Sequence, residues 1–319
     1  MNIGKLRLDG NLLLAPMSGV TNLPFRLLCK KYGAKLVYSE MTFSEAIVRE
    51  NRKSMKRGFT CTEERPLGIQ LLGSNPDTMA RSAVILQERF MPDLIDINLG
   101  CPAKNIIKNE CGSALLKKPE LIGEIVEKLT QSLDTPLTAK MRVLDNPEKT
   151  LEIARIIEKA GASALVVHGR TPKQGYSGTS SHAIIKSIKN GLSIPVIANG
   201  DIRDEKTAMH VLEYTQCDGL MIGRAAIGNP YIFRRISHYL DTGEILPERT
   251  FGERLDDFFE YAALCRKYDV LAYSDLKLKA QRFLRNKENI KPVREKINYA
   301  RDIDSIMGTM EGLRSGKLG

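Results

Sequence analysis

The chain alternates short, almost wholly apolar runs with longer stretches whose apolar residues recur every three or four positions. Eight runs read as strands: 12–17, 35–39, 67–72, 94–99, 137–141, 164–168, 195–198 and 219–222. Between them, 77–89, 120–133, 147–160 and 205–214 carry helical spacing. Strand–helix alternation implies parallel pairing, and continuous Val/Ile/Leu runs suit strands buried on both faces. Eight such units over roughly 240 residues match a (β/α)8 TIM barrel better than an open sheet. No Gly-x-Gly-x-x-Gly follows the first strand, which removes the main support for a dinucleotide-type sheet. After Leu240-Asp241-Thr242-Gly243-Glu244-Ile245-Leu246-Pro247 the strands stop. Residues 251–268, 273–286 and 293–310 show helical spacing, with Phe258, Tyr261, Ala262 and Cys265 on one face. The pattern predicts a barrel domain over 1–241 and a small C-terminal helical bundle over 248–319, frayed from 312 onward.

In such a barrel the active site lies at the C-terminal ends of the strands. Those ends here are polar: Pro16, Met17 and Ser18; Gln70; Asn98 and Cys101; Lys140 and Arg142; His168, Gly169 and Arg170; Asn199, Gly200 and Asp201; Gly223 and Arg224. Any one Lys or Gln is equally readable as a paired core residue, but seven strand ends agree. Asp96-Ile97-Asn98-Leu99-Gly100-Cys101-Pro102 reads as a buried strand opening into a loop, which makes Cys101 a candidate catalytic thiol. Locally, a small core hydrophobe is an equal reading. Asn199-Gly200-Asp201 and Gly223-Arg224 follow strands seven and eight, where barrels commonly hold phosphate through backbone amides. Arg224 adds a fork suited to that group, although two ordinary glycine turns remain the alternative.

Charge adds a partner class. The net charge is +10, which points to a polyanion without identifying it. From Ser274 to Arg301 nine cations stand against three carboxylates, and Arg49, Arg52, Lys53, Lys56 and Arg57 cluster after the second strand. Either cluster alone suits a solvated face. No signal-peptide pattern and no apolar run of about 20 residues is present, so a cytoplasmic protein without a membrane segment is expected. Six cysteines lack paired or metal-ligand spacing, which predicts reduced thiols and no metal.

Together these residues resemble the tRNA-dihydrouridine synthases. The resemblance runs through Leu14-Ala15-Pro16-Met17-Ser18-Gly19-Val20-Thr21-Asn22-Leu23-Pro24-Phe25-Arg26, Ser39-Glu40-Met41, Gln70-Leu71-Leu72-Gly73 and Asp96 to Pro102. It continues in Lys140-Met141-Arg142, Val167-His168-Gly169-Arg170-Thr171, Ala198-Asn199-Gly200-Asp201-Ile202 and Ile222-Gly223-Arg224-Ala225-Ala226-Ile227-Gly228-Asn229-Pro230. Cys111 departs from it, standing where glycine or alanine is expected.

The resemblance implies an FMN-dependent oxidoreductase that reduces the C5–C6 bond of selected tRNA uridines, with NADPH or NADH as reductant. Hydride from the flavin adds at C6, and C5 then needs a proton. A thiol of ordinary pKa, about 8.5, holds that proton at neutral pH, and the resemblance gives the role to Cys101. It places Pro16, Met17, Ser18, Gln70, Lys140, His168, Asn199, Gly200, Asp201, Gly223 and Arg224 around FMN, Lys140 balancing the charge of the reduced ring. Asn98, Arg142 and Tyr176 are expected to read the uracil edge, with Lys104 and Arg170 as further substrate contacts. Lys279, Arg282 and Arg285 belong to the expected tRNA track. No obligate protein partner is evident. A dihydropyrimidine- or dihydroorotate-type FMN barrel is the rival reading, and it leaves the basic C-terminal helices unexplained.

Overall fold

The computed structural model describes residues 1–285 and 287–316. Eight parallel strands form the barrel: β1 (Leu12–Leu14), β2 (Val37–Tyr38), β3 (Leu67–Leu72), β4 (Leu94–Leu99), β5 (Leu137–Arg142), β6 (Ala164–His168), β7 (Val196–Asn199) and β8 (Gly219–Ile222). Their order is β1-β8-β7-β6-β5-β4-β3-β2. Closure between β1 and β2 rests on a single bridge, Leu13 to Leu36, with Leu14 N–H donating to Leu36 O at 2.9 Å. The first two strands are shorter than the sequence pattern predicts: β1 stops before Ala15-Pro16-Met17, where the chain turns into a loop, and β2 lacks Lys35, Leu36 and Ser39 of the predicted run.

The period of two along each strand divides the barrel into layers. Outward residues such as Leu165, Val167, Leu220 and Ile222 join the helices in one large core. Inward residues Leu13, Tyr38, Leu94, Ala164, Val166, Ile197 and Met221 form a second core at the N-terminal end. A hairpin that the sequence pattern does not reveal, pairing Asn2–Ile3 with Leu6–Arg7, plugs that end through Ile3 and Leu8. Further along the inward faces the side chains turn polar: Asp96, His168 and Asn199 stand two residues beyond Leu94, Val166 and Ile197, Asn98 four beyond Leu94, and Gln70 and Lys140 lie on β3 and β5. The apolar floor and the polar mouth are therefore successive positions of one alternation.

Eight outer helices follow the strands: α1 (Leu23–Lys31), α2 (Ser44–Val48), α3 (Pro76–Phe90), α4 (Pro119–Ser132), α5 (Pro147–Lys159), α6 (His182–Gly191), α7 (Glu205–Thr215) and α8 (Ile232–Thr242). Asn22, Asn75, Asn146, Ser181 and Asp204 cap five of them, each side-chain oxygen accepting a first-turn N–H.

The C-terminal region holds α9 (Phe251–Lys267), α10 (Tyr273–Phe283), α11 (Lys291–Tyr299) and α12 (Ile303–Arg314). The helix predicted over 293–310 is two helices. Ala300 leaves helical geometry, and Asp302 starts α12 by accepting from Ser305 N–H at 2.7 Å. The break swings the apolar set Ile306, Met307 and Met310 back onto the other helices. Asn286, the expected end of the helix from 273, and residues 317–319 of the expected frayed tail lie outside the described residues. Buried residues of the C-terminal helices share one continuous core with the barrel. Across the junction Asn22 donates to Tyr261 Oη at 2.9 Å, and Tyr32 donates to Asp257.

Candidate active site

A cavity of about 1130 Å³ opens at the C-terminal end of the barrel and extends to the C-terminal helices. That exceeds the roughly 300–1,000 Å³ usual for a small-molecule pocket, leaving space for a second reactant. Its wall brings together Pro16, Met17, Ser18, Gln70, Asn98, Cys101, Lys140, Arg142, His168, Tyr176, Asn199, Gly200, Asp201, Gly223 and Arg224, with Arg282 and Arg285 from α10 and the turn after it. Strand ends around the barrel and one distant helix thus deliver to one space residues that the sequence scatters along most of its length.

Three expected substrate contacts lie elsewhere. Lys279 is fully buried; its Nζ donates to Val20 O at 2.7 Å and sits 3.7 Å from the centre of the Phe25 ring. A backbone phosphate has no access to it, so its place in the tRNA track is corrected: it ties α10 to the loop after β1. Arg170 is also buried, its Nη2 donating to both carboxylate oxygens of Asp201 at 2.7 and 2.9 Å and to Gly178 O, and its Nε to Ser177 O. It braces the loop that carries Tyr176 instead of facing substrate. Lys104 is exposed at the start of a short helix, Lys104–Lys108, outside the wall.

Asn98 is in the wall, but both ends of its amide are engaged. Nδ2 donates to Gln70 Oε1 at 2.8 Å, and Oδ1 accepts from Gly100 N–H at 3.1 Å and Cys101 N–H at 3.0 Å. Arg142 similarly holds Gly100 O at 2.8 Å, Thr171 O at 3.1 Å and Gly175 O at 2.8 Å. These two side chains fix the loops around the thiol more than they offer themselves to a base. Tyr176 is largely exposed, its ring lying 4.6 Å from the Arg224 guanidinium and 5.8 Å from that of Arg142.

The electrostatics are cationic. Lys140 donates to Asn199 Oδ1 at 3.0 Å; burial, with Arg142 nearby, draws its ammonium down to about 8, so it stays mostly charged at neutral pH. Burial and the surrounding Lys140, Arg142, Arg170 and Arg224 push His168 down to about 2, which leaves it neutral. Burial would raise Asp201, but hydrogen bonds from Ser180 N–H, Arg170 and Arg203 outweigh it and hold the carboxylate at about 2. Asp96, beneath the floor, is lifted by burial to about 7 against hydrogen bonds from Gln70 and Thr138.

This donor set suits an anionic ring with a phosphate tail. Lys140 and Gln70 stand deep in the cavity, while Arg224, half exposed, reaches from the rim over a wall that is bare backbone at Gly200 and Gly223. Gly200 has φ +118°, and a Cβ there would lie 2.9 Å from His168 Cδ2. Among the described residues no cluster of three or more His, Cys, Asp or Glu is arranged to hold a metal ion.

The wall also includes Met41, Arg203, Arg235, Arg249 and Arg254, none of which the sequence reading singled out as a site residue. Arg203 follows Asn199-Gly200-Asp201 and was within reach of the same strand-end logic. The other arginines come from α8, the connecting segment and α9, where nothing local marks them.

The family model for dihydrouridine synthase matches residues 13–310. The chain belongs to the dihydrouridine synthase family. Relatives named tRNA-dihydrouridine synthase B include those of Escherichia coli K12, 45% identical over 255 residues, and Yersinia pestis, 44% identical over 255 residues; each alignment covers 79% of this chain and 79% of the relative. That of Shewanella oneidensis is 42% identical over 272 residues, 85% of this chain and 84% of the relative. Among solved structures, a 2-naphthoyl-CoA reductase complex superposes with TM-score 0.58 at 10% identity, covering 75% of this chain and 51% of that one. Histamine dehydrogenase from a Rhizobium species gives 0.54 at 14% identity, covering 76% and 47%. At such identities the likeness is one of fold. In this dihydrouridine synthase the family match begins at β1 and ends inside α12, so it spans both the barrel and the helices that complete the cavity. No described helix is long and apolar enough to cross a membrane.

Proposed function

We propose that this dihydrouridine synthase is a cytoplasmic enzyme that reduces the C5–C6 bond of specific uridines in tRNA, with FMN in the barrel mouth and NADPH or NADH as reductant. The observation that carries the reading is the placement of Cys101 in the wall of the same cavity as Lys140, on a loop pinned by Asn98 and Arg142. FMN, when bound, would supply the hydride delivered to C6. Lys140, Gln70 and Asn199 would hold the ring, and Lys140 would balance negative charge on it. Arg224 and the backbone at Gly200 and Gly223 would take the phosphate, which is consistent with glycine at both turns. His168, neutral, would orient the cofactor without adding a charge.

Cys101 would give its Sγ proton to C5. A pinned thiol with no disulfide partner suits that task, because the proton is held where the product carbon forms. The barrel over 1–241 would do the chemistry, and the helices over 248–319 would help present the tRNA. A uridine in folded tRNA must leave its stack to reach such a mouth, so shape and phosphate contacts would do most of the selecting. Arg282 and Arg285 in the wall support a phosphate path, and Arg49, Arg52 and Lys53 beyond β2 are exposed and would extend it. The test is incubation with unmodified tRNA and NADPH, followed by mass spectrometry for the gain of two hydrogens at a uridine. No gain, or equal turnover of a free pyrimidine, sinks the proposal.

A further inference from the structure

Beneath the cavity floor the polar contacts of Gln70 and Asn98 continue to Asp96 and Thr138, which the proposed chemistry does not use. Asp96, on an inward position of β4, is fully buried. Its Oδ2 accepts from Gln70 Nε2 at 2.7 Å, and its Oδ1 accepts from Thr138 Oγ1 at 2.7 Å. The parallel register sets Gln70, Asp96 and Thr138 side by side on β3, β4 and β5. From Gln70 the chain continues upward: Asn98 Nδ2 donates to Gln70 Oε1, and Asn98 Oδ1 accepts the backbone N–H groups of Gly100 and Cys101.

The direction of this chain follows from its origin. Ionised, Asp96 only accepts, and with a proton on Oδ1 toward the Thr138 hydroxyl its Oδ2 still accepts from Gln70, whereas an amide side chain has one donor end and one acceptor end. Asp96 therefore selects the nitrogen of Gln70, the oxygen of Gln70 selects the nitrogen of Asn98, and the oxygen of Asn98 is left for the two backbone donors. With both amides reversed, Asn98 would present N–H to N–H, leaving the Gly100 and Cys101 amides unpaired at the base of the loop. We infer that Asp96 is a positioning residue, whose carboxylate sets the polarity of the Gln70–Asn98 relay and thereby holds the loop that carries Cys101. Its catalytic consequence rests on Cys101 being the proton donor; the positioning itself does not.

The experiment uses the flavin-free protein, so that it reads the loop and not turnover. In Asp96→Asn the origin becomes an amide that fits either direction, and hydrogen exchange at the Gly100 and Cys101 amides should accelerate by roughly tenfold or more, with β6 amides unchanged. Moving the carboxylate one step along the chain, in Asp96→Asn combined with Gln70→Glu, restores the polarity. The carboxylate introduced at position 70 would accept from the amide introduced at position 96 and from Asn98, so Asn98 Oδ1 again faces the loop and protection should return. A merely structural Asp96 predicts no such rescue. Unchanged exchange in the single variant, or a double variant as unprotected as the single, overturns the inference. If the single variant does not fold, a cooperative melt recovered in the double variant supports it, and a double variant no better folded overturns it. Loss of tRNA reduction in Cys101→Ala with intact amide protection tests the proton-donor role separately.

Discussion

At the residue scale, function concentrates where inward strand positions change from apolar to polar. Lys140 and His168 share a mouth yet are driven to opposite charge states at neutral pH: burial weakens both cations, but the ammonium begins from 10.5 and the imidazole from 6.5. The same burial that leaves Lys140 charged therefore makes His168 neutral. Cys101 carries the sharpest expectation. If it only protonates C5, Cys101→Ala should bind FMN and tRNA and accept hydride from NADPH at the normal rate. Re-oxidation of the reduced flavin by tRNA should slow by about 100- to 10,000-fold, the usual loss for a positioned general acid. Stopped-flow traces of the two half-reactions check this, with Cys111→Ala as the comparison. Cys111 is buried against Leu72 and Ile106, so its replacement should leave both rates near wild type. An equal loss in the two variants would mean the donor has been misassigned.

At the element scale, the turn after β8 joins the two halves of the molecule. Gly228 has φ +77°, and a Cβ there would stand 2.5 Å from the backbone carbon and oxygen of Arg282 in α10. Only glycine meets both conditions, a left-handed backbone and contact with another helix's main chain. Gly228→Ala should cost more than about 1 kcal/mol, the left-handed penalty alone, because backbone gives way less readily than a side chain. Denaturant midpoints measure the loss. A midpoint equal to wild type would show that α10 can shift away freely. The segment 274–301 shows why charge alone misleads at this scale. Lys277 donates to Tyr273 Oη at 2.8 Å and Asn298 O at 2.7 Å, and Arg294 donates to Gln281 Oε1 at 2.9 Å. Lys277 and Arg294 thus hold α10 to α11, and among the segment's described residues only Arg282 and Arg285 line the cavity.

At the scale of the whole molecule, the site is completed by the C-terminal helices. Replacing Arg282 and Arg285 together by Ala should weaken tRNA binding and flatten its salt dependence by about 1.5 in log–log slope, two phosphate contacts at less than one counterion each. Flavin reduction by NADPH should not change. A wild-type slope would make both arginines a solvated face. The junction itself titrates. Lys279, buried between α10 and the loop after β1, is drawn from 10.5 down to about 7 by burial. Between those values the unfolded chain binds the proton that the folded one has released, so stability rises with pH by up to about 1.4 kcal/mol per unit and levels off below about 7. In Lys279→Met that contribution should vanish, and the wild-type stability should gain on the variant between pH 7.5 and 9. Urea melts at the two pH values decide it; parallel pH trends would show that Lys279 keeps its ordinary proton affinity in the fold.

What the sequence alone determined is the barrel, its strand ends and the candidate chemistry there, because each depends on residues close together in the chain. Apolar runs of four to six residues separated by helical spacing leave few other folds, and in a parallel barrel the strand ends share one mouth whatever the remaining detail. The hairpin plug escaped that reading because its two strands have two residues each, too few for a period to show. The break between α11 and α12 escaped because both helices carry apolar spacing and only packing rotates one against the other. Tertiary structure alone decided which cations meet solvent. Lys279 and Arg282 lie three positions apart on α10, yet one faces Phe25 and Val20 and the other the cavity. Which face of a helix becomes interior is set by what packs against it, here α1 and the loop after β1, more than 200 residues earlier in the chain.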